Sequence, residues 1–273
     1  MRADIARLVE SAAEAAVLAG RPLAERFHDG VAAVPKPGTH AHDVVTAADA
    51  RAEAVIRAAL TDAWPGSTVI GEESGDGREG DPDGVRWIVD PIDGTANFAR
   101  GVPLFCVSIG VRLPDGTAGG CVYDPVRDES FTGTPDGLRL NGRPVPAGRP
   151  RHAVPLALTD VPRPGVAPDP SELALFASLI QAADVRRIGS SALALAYVAC
   201  GRADVAAGAD AFVWDTAAGS ALVAASGGGF AGVPEPSADR PGGFAAWTSE
   251  AAALGERVAR ALEAAHHEAE GHG

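Results

Sequence analysis

Two carboxylates stand three positions apart where an apolar run stops, in Trp87-Ile88-Val89-Asp90-Pro91-Ile92-Asp93-Gly94-Thr95-Ala96-Asn97-Phe98. The run 85–89 predicts a buried strand. The Pro, Gly and Thr that follow predict a tight turn at its C-terminal end. Such a turn aims Asp90 and Asp93 at one point, with the backbone carbonyl of Ile92 between them. Like charges held that close repel unless a cation lies between them. Oxygen-only ligands suit a hard ion such as Mg²⁺. An ordinary acidic turn is the alternative for any lone D-x-x-D.

Two further segments decide between these readings. Upstream, Val69-Ile70-Gly71-Glu72-Glu73-Ser74 is a second apolar run ending in carboxylates. Downstream, Val213-Trp214-Asp215-Thr216-Ala217-Ala218-Gly219 places an acid just before a small-residue helix. In this order, G-E-E-S, W-I-V-D-P-I-D-G-T-x-N-F and W-D-x-A-A-G resemble the signatures of the inositol monophosphatase family. That family belongs to a superfamily of metal-dependent, lithium-sensitive phosphatases that includes the fructose bisphosphatases. The resemblance runs from about Ala3 to about Leu262, and several independent motifs rarely agree by chance.

The resemblance implies an α/β (α+β) fold, a five-layered αβαβα sandwich. It implies a phosphomonoesterase with two or three Mg²⁺ ions and direct attack by an activated water. Glu72, Asp90 and the Ile92 carbonyl would hold the first ion. Asp90, Asp93 and Asp215 would hold the second, with Asp90 as the bridge. Thr95 and Asp49 form the candidate activating dyad beside Glu72. Asp49 also fits a helix surface charge, and Asp215 an ordinary helix-start acid. Gly94 and Thr95 would open a helix whose amides meet the phosphate. Lys36 lies in a loop that closes over the site in relatives. His40 and His42 read as solvated loop residues, Glu73 as an outer acid, and Trp87 and Trp214 as packing.

For the substrate, relatives use the segment holding Gly189, Ser190 and Ser191 to contact the leaving alcohol, alongside Asp93, Gly94, Thr95 and Asp215. The form Gly189-Ser190-Ser191-Ala192 resembles the inositol type more than the histidinol-phosphatase type. Inositol phosphatases, however, carry an acid seven residues before the W-D aspartate, and Gly208 stands there. Loss of such an acceptor weakens selection for a polyol. Asp210 is nearby. The expected substrate is a small inositol monophosphate-like ester. Histidinol phosphate, fructose 1,6-bisphosphate and adenosine 3′,5′-bisphosphate are alternatives, and a non-catalytic regulatory relative is another.

Composition narrows the rest. A formal net charge of -13 argues against binding a nucleic-acid backbone. Metal ions could still bring phosphate esters to an acidic protein. No apolar stretch reaches membrane-spanning length, so no membrane partner is expected. The start, with Arg2, Asp4, Arg7 and Glu10, does not read as a signal peptide. Cys106, Cys121 and Cys200 are scattered in apolar settings and read as reduced core residues of a cytoplasmic protein. Relatives are often homodimers, so a homodimer is expected.

Periodicity predicts helices at 3–27 and 47–64, a loop at 34–42 and strands at 68–71 and 85–89. A charged, Gly-rich stretch at 75–84 reads as a loop. Strands at 104–113 and 117–123 flank the hairpin signal Pro114-Asp115-Gly116, and 129–133 and 137–140 continue that sheet. Pro-rich 144–150 and 162–170 mark the passage into an alternating half. There, strands at 153–159, 185–188, 203–207 and 244–247 alternate with helices at 170–183, 190–200, 214–225 and 250–265. The chain thus divides into an α+β half, 1–143, with the main metal motifs, and an α/β half, 144–266, with Asp215 and the substrate contacts. Both belong to one catalytic unit. A polar tail, 267–273, is expected to be disordered.

Overall fold

A computed structural model describes residues 4–36, 44–74, 84–146, 153–167 and 169–270. Helix α1 (Ile5–Arg26) starts where the Asp4 carboxylate accepts the Ala6 amide at 3.0 Å. It buries Leu8, Val9, Ala12, Ala16, Ala19 and Leu23 along one stripe. Strands β1 (Ala33–Pro35) and β2 (Val44–Thr46) then pair antiparallel. Helix α2 (Ala47–Ala63) opens on a capping box built by Thr46 and Asp49. Strands β3 (Thr68–Gly71) and β4 (Arg86–Asp93) are parallel neighbours, and the short helix α3 (Thr95–Ala99) follows. Strands β5 (Cys106–Arg112), β6 (Ala118–Asp124), β7 (Glu129–Thr134), β8 (Gly137–Leu140) and β9 (Arg143–Pro144) extend the same sheet antiparallel.

The second half builds a mixed sheet. Strand β10 (Leu156–Thr159) precedes helix α4 (Pro170–Ala182), which has Asp169 as its cap and Pro170 in its first turn. Then come β11 (Asp184–Arg186), α5 (Ser191–Ala199), β12 (Val205–Ala211), α6 (Val213–Ala225), β13 (Gly229–Gly232), β14 (Gly242–Trp247) and α7 (Ala252–Glu270). The strand order is β11-β10-β12-β14-β13, with β10 parallel to both of its neighbours.

Packing stacks these elements in five layers. Helices α1 and α2 cover one face of the seven-stranded sheet. Helices α5 and α6 pair with each other between the two sheets, and α4 and α7 cover the far face of the five-stranded sheet. The result is the expected αβαβα sandwich. Among the described residues, no helix is long and apolar enough to cross a membrane.

One feature of the middle layer positions the site. Gly110, Gly120 and Gly133 are register partners across β5, β6 and β7. A Cβ on Gly110 would stand 2.8 Å from Ala217, one on Gly120 2.7 Å from Ala218, and one on Gly133 2.9 Å from Leu222. This row of missing side chains lets α6 lie against the sheet, which carries its first turn, with Asp215, to the end of β4.

Several expectations need correction. Strand β4 does not stop at Val89 but runs through Asp93, with a bulge in its pairing to β5 between Asp90 and Asp93. The carboxylates therefore sit on an irregular strand rather than on a turn beyond it, and the bulge is what re-aims them. The expected loop at 34–42 begins as strand β1, because its Val and Pro pair with Val45 and Val44. Strand β13, rich in glycine, was not anticipated. Helix α7 continues to Glu270, past the expected end at 265 and into the segment expected as a tail. His40, His42 and most of the 75–84 stretch lie outside the described residues.

Candidate metal centre

Asp90, Asp93 and Asp215 converge. Each offers a carboxylate oxygen, and these oxygens lie within 4.8 Å of one another. Asp90 and Asp93 are buried, and Asp215 is half-buried. The Asp90 carboxylate accepts the Ile92 amide at 2.9 Å, which bends the backbone at the bulge. Asp215 reaches back to the Phe212 amide at 2.6 Å, and the Trp214 carbonyl accepts Ser108 Oγ at 3.2 Å. Asp93 is held from the other half of the chain. Its Oδ2 accepts the Ala192 amide at 3.0 Å, and its Oδ1 accepts the Ser190 hydroxyl.

Charge in this cluster is strained. Burial pushes the Asp90 and Asp215 carboxyls well above the ordinary range, and neighbouring carboxylates add to it: Glu72 and Asp93 at Asp90, and Asp93 and Glu72 at Asp215. Asp93 is pushed up to about 7 by burial, against the opposing pull of the Ser190 hydroxyl and the Ala192 amide. Three acids that would rather hold protons, aimed at one point, fit a hard divalent cation. The trio itself supplies no positive charge, so the residues present suit the ion that the sequence suggests.

Glu72 stands slightly apart. It is a partner of Asp90, but its carboxylate is ion-paired with Lys36, the sole lysine of the chain. The Lys36 ammonium also lies 3.0 Å from Glu73. Burial opposes the charge on Lys36, yet Glu72 and Glu73 together hold its pKa above the ordinary lysine value. The loop lysine and the expected ligand Glu72 are thus brought together, and Glu73 is part of the same ion pair rather than a free surface acid.

The expected dyad is assembled. Thr95 Oγ1 lies 3.0 Å from Asp49 Oδ1 and 2.9 Å from the Ile92 carbonyl. Asp49 is fully buried, which excludes the surface-charge reading. Its second oxygen accepts the Thr46 amide at 2.8 Å and the Thr46 hydroxyl at 2.6 Å, so the cap of α2 also orients the acid. Gly94 has a left-handed φ of 92°, and a Cβ there would stand 2.8 Å from the Leu104 carbonyl. Gly189 and Ser191 lie beside this centre at the start of α5, while the Ser190 side chain is buried on Asp93.

Three contributors escaped the sequence reading. Asn97 Nδ2 donates to the Leu104 and Ile188 carbonyls, both at 2.7 Å, stapling the 188–189 segment to the metal motif. Its place in the N-F part of the motif was a signal. Asp160, at the end of β10, accepts the Gly189 amide at 3.4 Å, and burial raises its pKa against the pull of Arg187. Glu53 is buried on α2 behind the Glu72 turn. Neither acid carried a local pattern. Gly208 proves to have no room for a side chain, since a Cβ there would stand 2.6 Å from the Phe244 ring.

Comparison with known proteins agrees with this geometry. The model of the inositol monophosphatase family matches residues 4–268. The chain is 39% identical over 226 residues to the Nus factor SuhB of Escherichia coli strain K12, covering 81% of this chain and 83% of that one. Among solved structures, the extragenic suppressor protein suhB from Bartonella henselae superposes with a TM-score of 0.79 at 31% identity, covering 94% of this chain and 98% of that chain. The inositol monophosphatase from Anabaena (Nostoc) sp. PCC 7120 gives 0.74 at 31% identity, covering 95% and 96%. With its three signatures converging in the described fold, the chain belongs to the inositol monophosphatase family, a membership that supports phosphatase-type activity.

Proposed function

We propose that this protein is a Mg²⁺-dependent phosphomonoesterase that hydrolyses a small, inositol monophosphate-like ester by direct attack of water. The observation that carries this reading is the meeting of Asp90, Asp93 and Asp215 beside a buried Asp49–Thr95 pair. Asp90, Asp93, Asp215, Glu72 and the Ile92 carbonyl would hold two or three ions. Bound Mg²⁺ supplies positive charge for the phosphate oxygens and makes water acidic enough to attack at neutral pH.

The chain's own groups do the rest. With its hydroxyl hydrogen on Asp49, Thr95 turns oxygen lone pairs toward the attacking water and accepts its proton in a hydrogen bond. Glu72, released from Lys36, serves the same water as a base. Gly94 and Thr95 present backbone amides to the phosphate. Gly189 and Ser191 line the leaving-alcohol side, where Ser190 keeps Asp93 in place. Hydrolysis in ¹⁸O-water tests which bond breaks. One ¹⁸O should appear in phosphate and none in the alcohol, and label in the alcohol would overturn direct attack at phosphorus.

A second reading has its own support. Relatives carry the name Nus factor, which favours a regulatory partner role alongside or in place of turnover. Because Phe244 fills the space beside Gly208, the polyol acceptor of inositol enzymes is missing there. Histidinol phosphate, fructose 1,6-bisphosphate and adenosine 3′,5′-bisphosphate therefore belong among the substrates to be tested. A homodimer and a cytoplasmic setting accompany the proposal, the latter supported by three buried cysteines without a disulfide.

A further inference from the structure

We infer that Glu53 and Arg57 on α2 are positioning residues that fix the direction of the Glu72 ligand, so that the acid meets a metal ion rather than following Lys36. This inference rests on the proposed metal centre. Glu53 is 4% exposed, one helical turn beyond Asp49. Its Oε2 accepts the Glu73 amide at 2.9 Å, and its Oε1 lies 3.3 Å from Arg57 Nη2. Arg57, one turn further on, sends Nη1 to the Val69 carbonyl at 3.1 Å and Nη2 to Ser74 Oγ at 2.5 Å. Two side chains of one helix therefore grip the chain on both sides of Glu72. The Glu72 amide itself is held by the Val89 carbonyl at 3.1 Å, which ties the turn to β4 and to Asp90.

Gly71 shows how close this contact is. A Cβ at that position would stand 2.4 Å from the Glu53 carboxyl carbon. The G of the G-E-E-S motif thus has a local reason: the backbone before Glu72 lies directly on a buried carboxylate. Burying a carboxylate is costly unless it is paired and hydrogen-bonded. Glu53 meets both conditions, and what it binds is the peptide immediately after the ligand. Glu72 lies between Lys36, its ion-pair partner, and the Asp90 cluster, whose like charge would favour its approach only with a cation between them. A turn left loose would let Glu72 swing with the long, flexible lysine. Groups that orient a ligand from behind typically change metal affinity by about 10–100-fold when removed.

The test measures Mn²⁺ binding to full-length protein by electron paramagnetic resonance of the free ion, beside the Mg²⁺ dependence of phosphate release. Glu53→Ala should raise the Mn²⁺ dissociation constant by about 10–100-fold, while kcat at saturating Mg²⁺ falls much less. Glu53→Gln keeps an acceptor for the Glu73 amide and should retain most of the affinity. Arg57→Ala removes a partly exposed side chain, leaves Glu53 its bond from the Glu73 amide, and should weaken binding in the same direction. It keeps the inference testable if Glu53→Ala does not fold. Folded Glu53→Ala, or Arg57→Ala in its place, binding Mn²⁺ with wild-type affinity would overturn this inference alone. Wild-type protein that binds no Mn²⁺ would overturn the metal centre and this inference together.

Discussion

The hydroxyl of Ser190, at the start of α5, donates to the carboxylate of Asp93, at the end of β4. One bond thus joins the last residue of the metal-motif strand to the first turn of the substrate-side helix. Asn97 and the Ala192 amide reinforce the same seam. Substrate contacts and metal ligands are consequently not independent here.

Ser190→Ala should raise the Asp93 pKa further, because the hydroxyl is one of the groups that holds it down. At pH 7 the Mg²⁺ concentration for half-maximal binding should rise about 10-fold or more, and raising the pH should recover much of the loss. Calorimetric titrations at two pH values check this.

Asp93→Asn should lower turnover by about 100-fold or more while leaving the fold intact. It should also stabilise the metal-free protein at alkaline pH. The Asp93 carboxyl titrates near 7 in the folded chain, above the ordinary value of 3.8. An acid with a raised folded pKa contributes stability that is complete below its unfolded pKa and is lost as pH rises through the folded one. Without metal, wild-type stability should therefore fall relative to Asp93→Asn between about pH 4 and 7. Added Mg²⁺ should reverse the difference. Thermal melts across that window, with and without Mg²⁺, measure it.

Thr95→Ala should reduce kcat by about 10²–10⁴-fold, the scale of a lost proton-handling group. Mg²⁺ binding should change far less than kcat, because the side chain touches none of the three aspartates and the Ile92 carbonyl it bonds to is placed by the β4 backbone. Thr95→Ser, which keeps the hydroxyl, should restore most of the rate. Steady-state kinetics of the two variants separate these outcomes.

Gly208→Glu would supply the acid found in inositol-type enzymes, but its Cβ would meet the Phe244 ring. Overpacking of this kind costs about 1–3 kcal/mol. Denaturant unfolding should show that loss, with no gain in preference for inositol phosphate.

Most of the element order was legible from the chain, while the five layers followed from the family resemblance. Alternating strand and helix periods gave the second half, and the Asp-Gly hairpin gave β5 and β6. The three acid motifs named the residues that converge. What escaped was long-range. The β4 bulge depends on pairing with β5, which no local pattern encodes. Strand β13 is glycine-rich and weakly apolar, so only its partner β14 makes it a strand. The Lys36–Glu72 pair and the Glu53 buttress are contacts between elements far apart in sequence. Gly208 is visible in the sequence as a missing acid, but the reason, Phe244 lying over it, exists only in the folded sheet.

The most direct test is phosphate release by the purified protein, with Mg²⁺ and with EDTA, across inositol 1-phosphate, histidinol phosphate, fructose 1,6-bisphosphate and adenosine 3′,5′-bisphosphate. The metal-centre account predicts turnover of at least one ester that requires Mg²⁺, is inhibited by lithium and collapses in Asp93→Asn. Folded protein that releases no phosphate from any of them, or releases it equally in EDTA, would contradict the account.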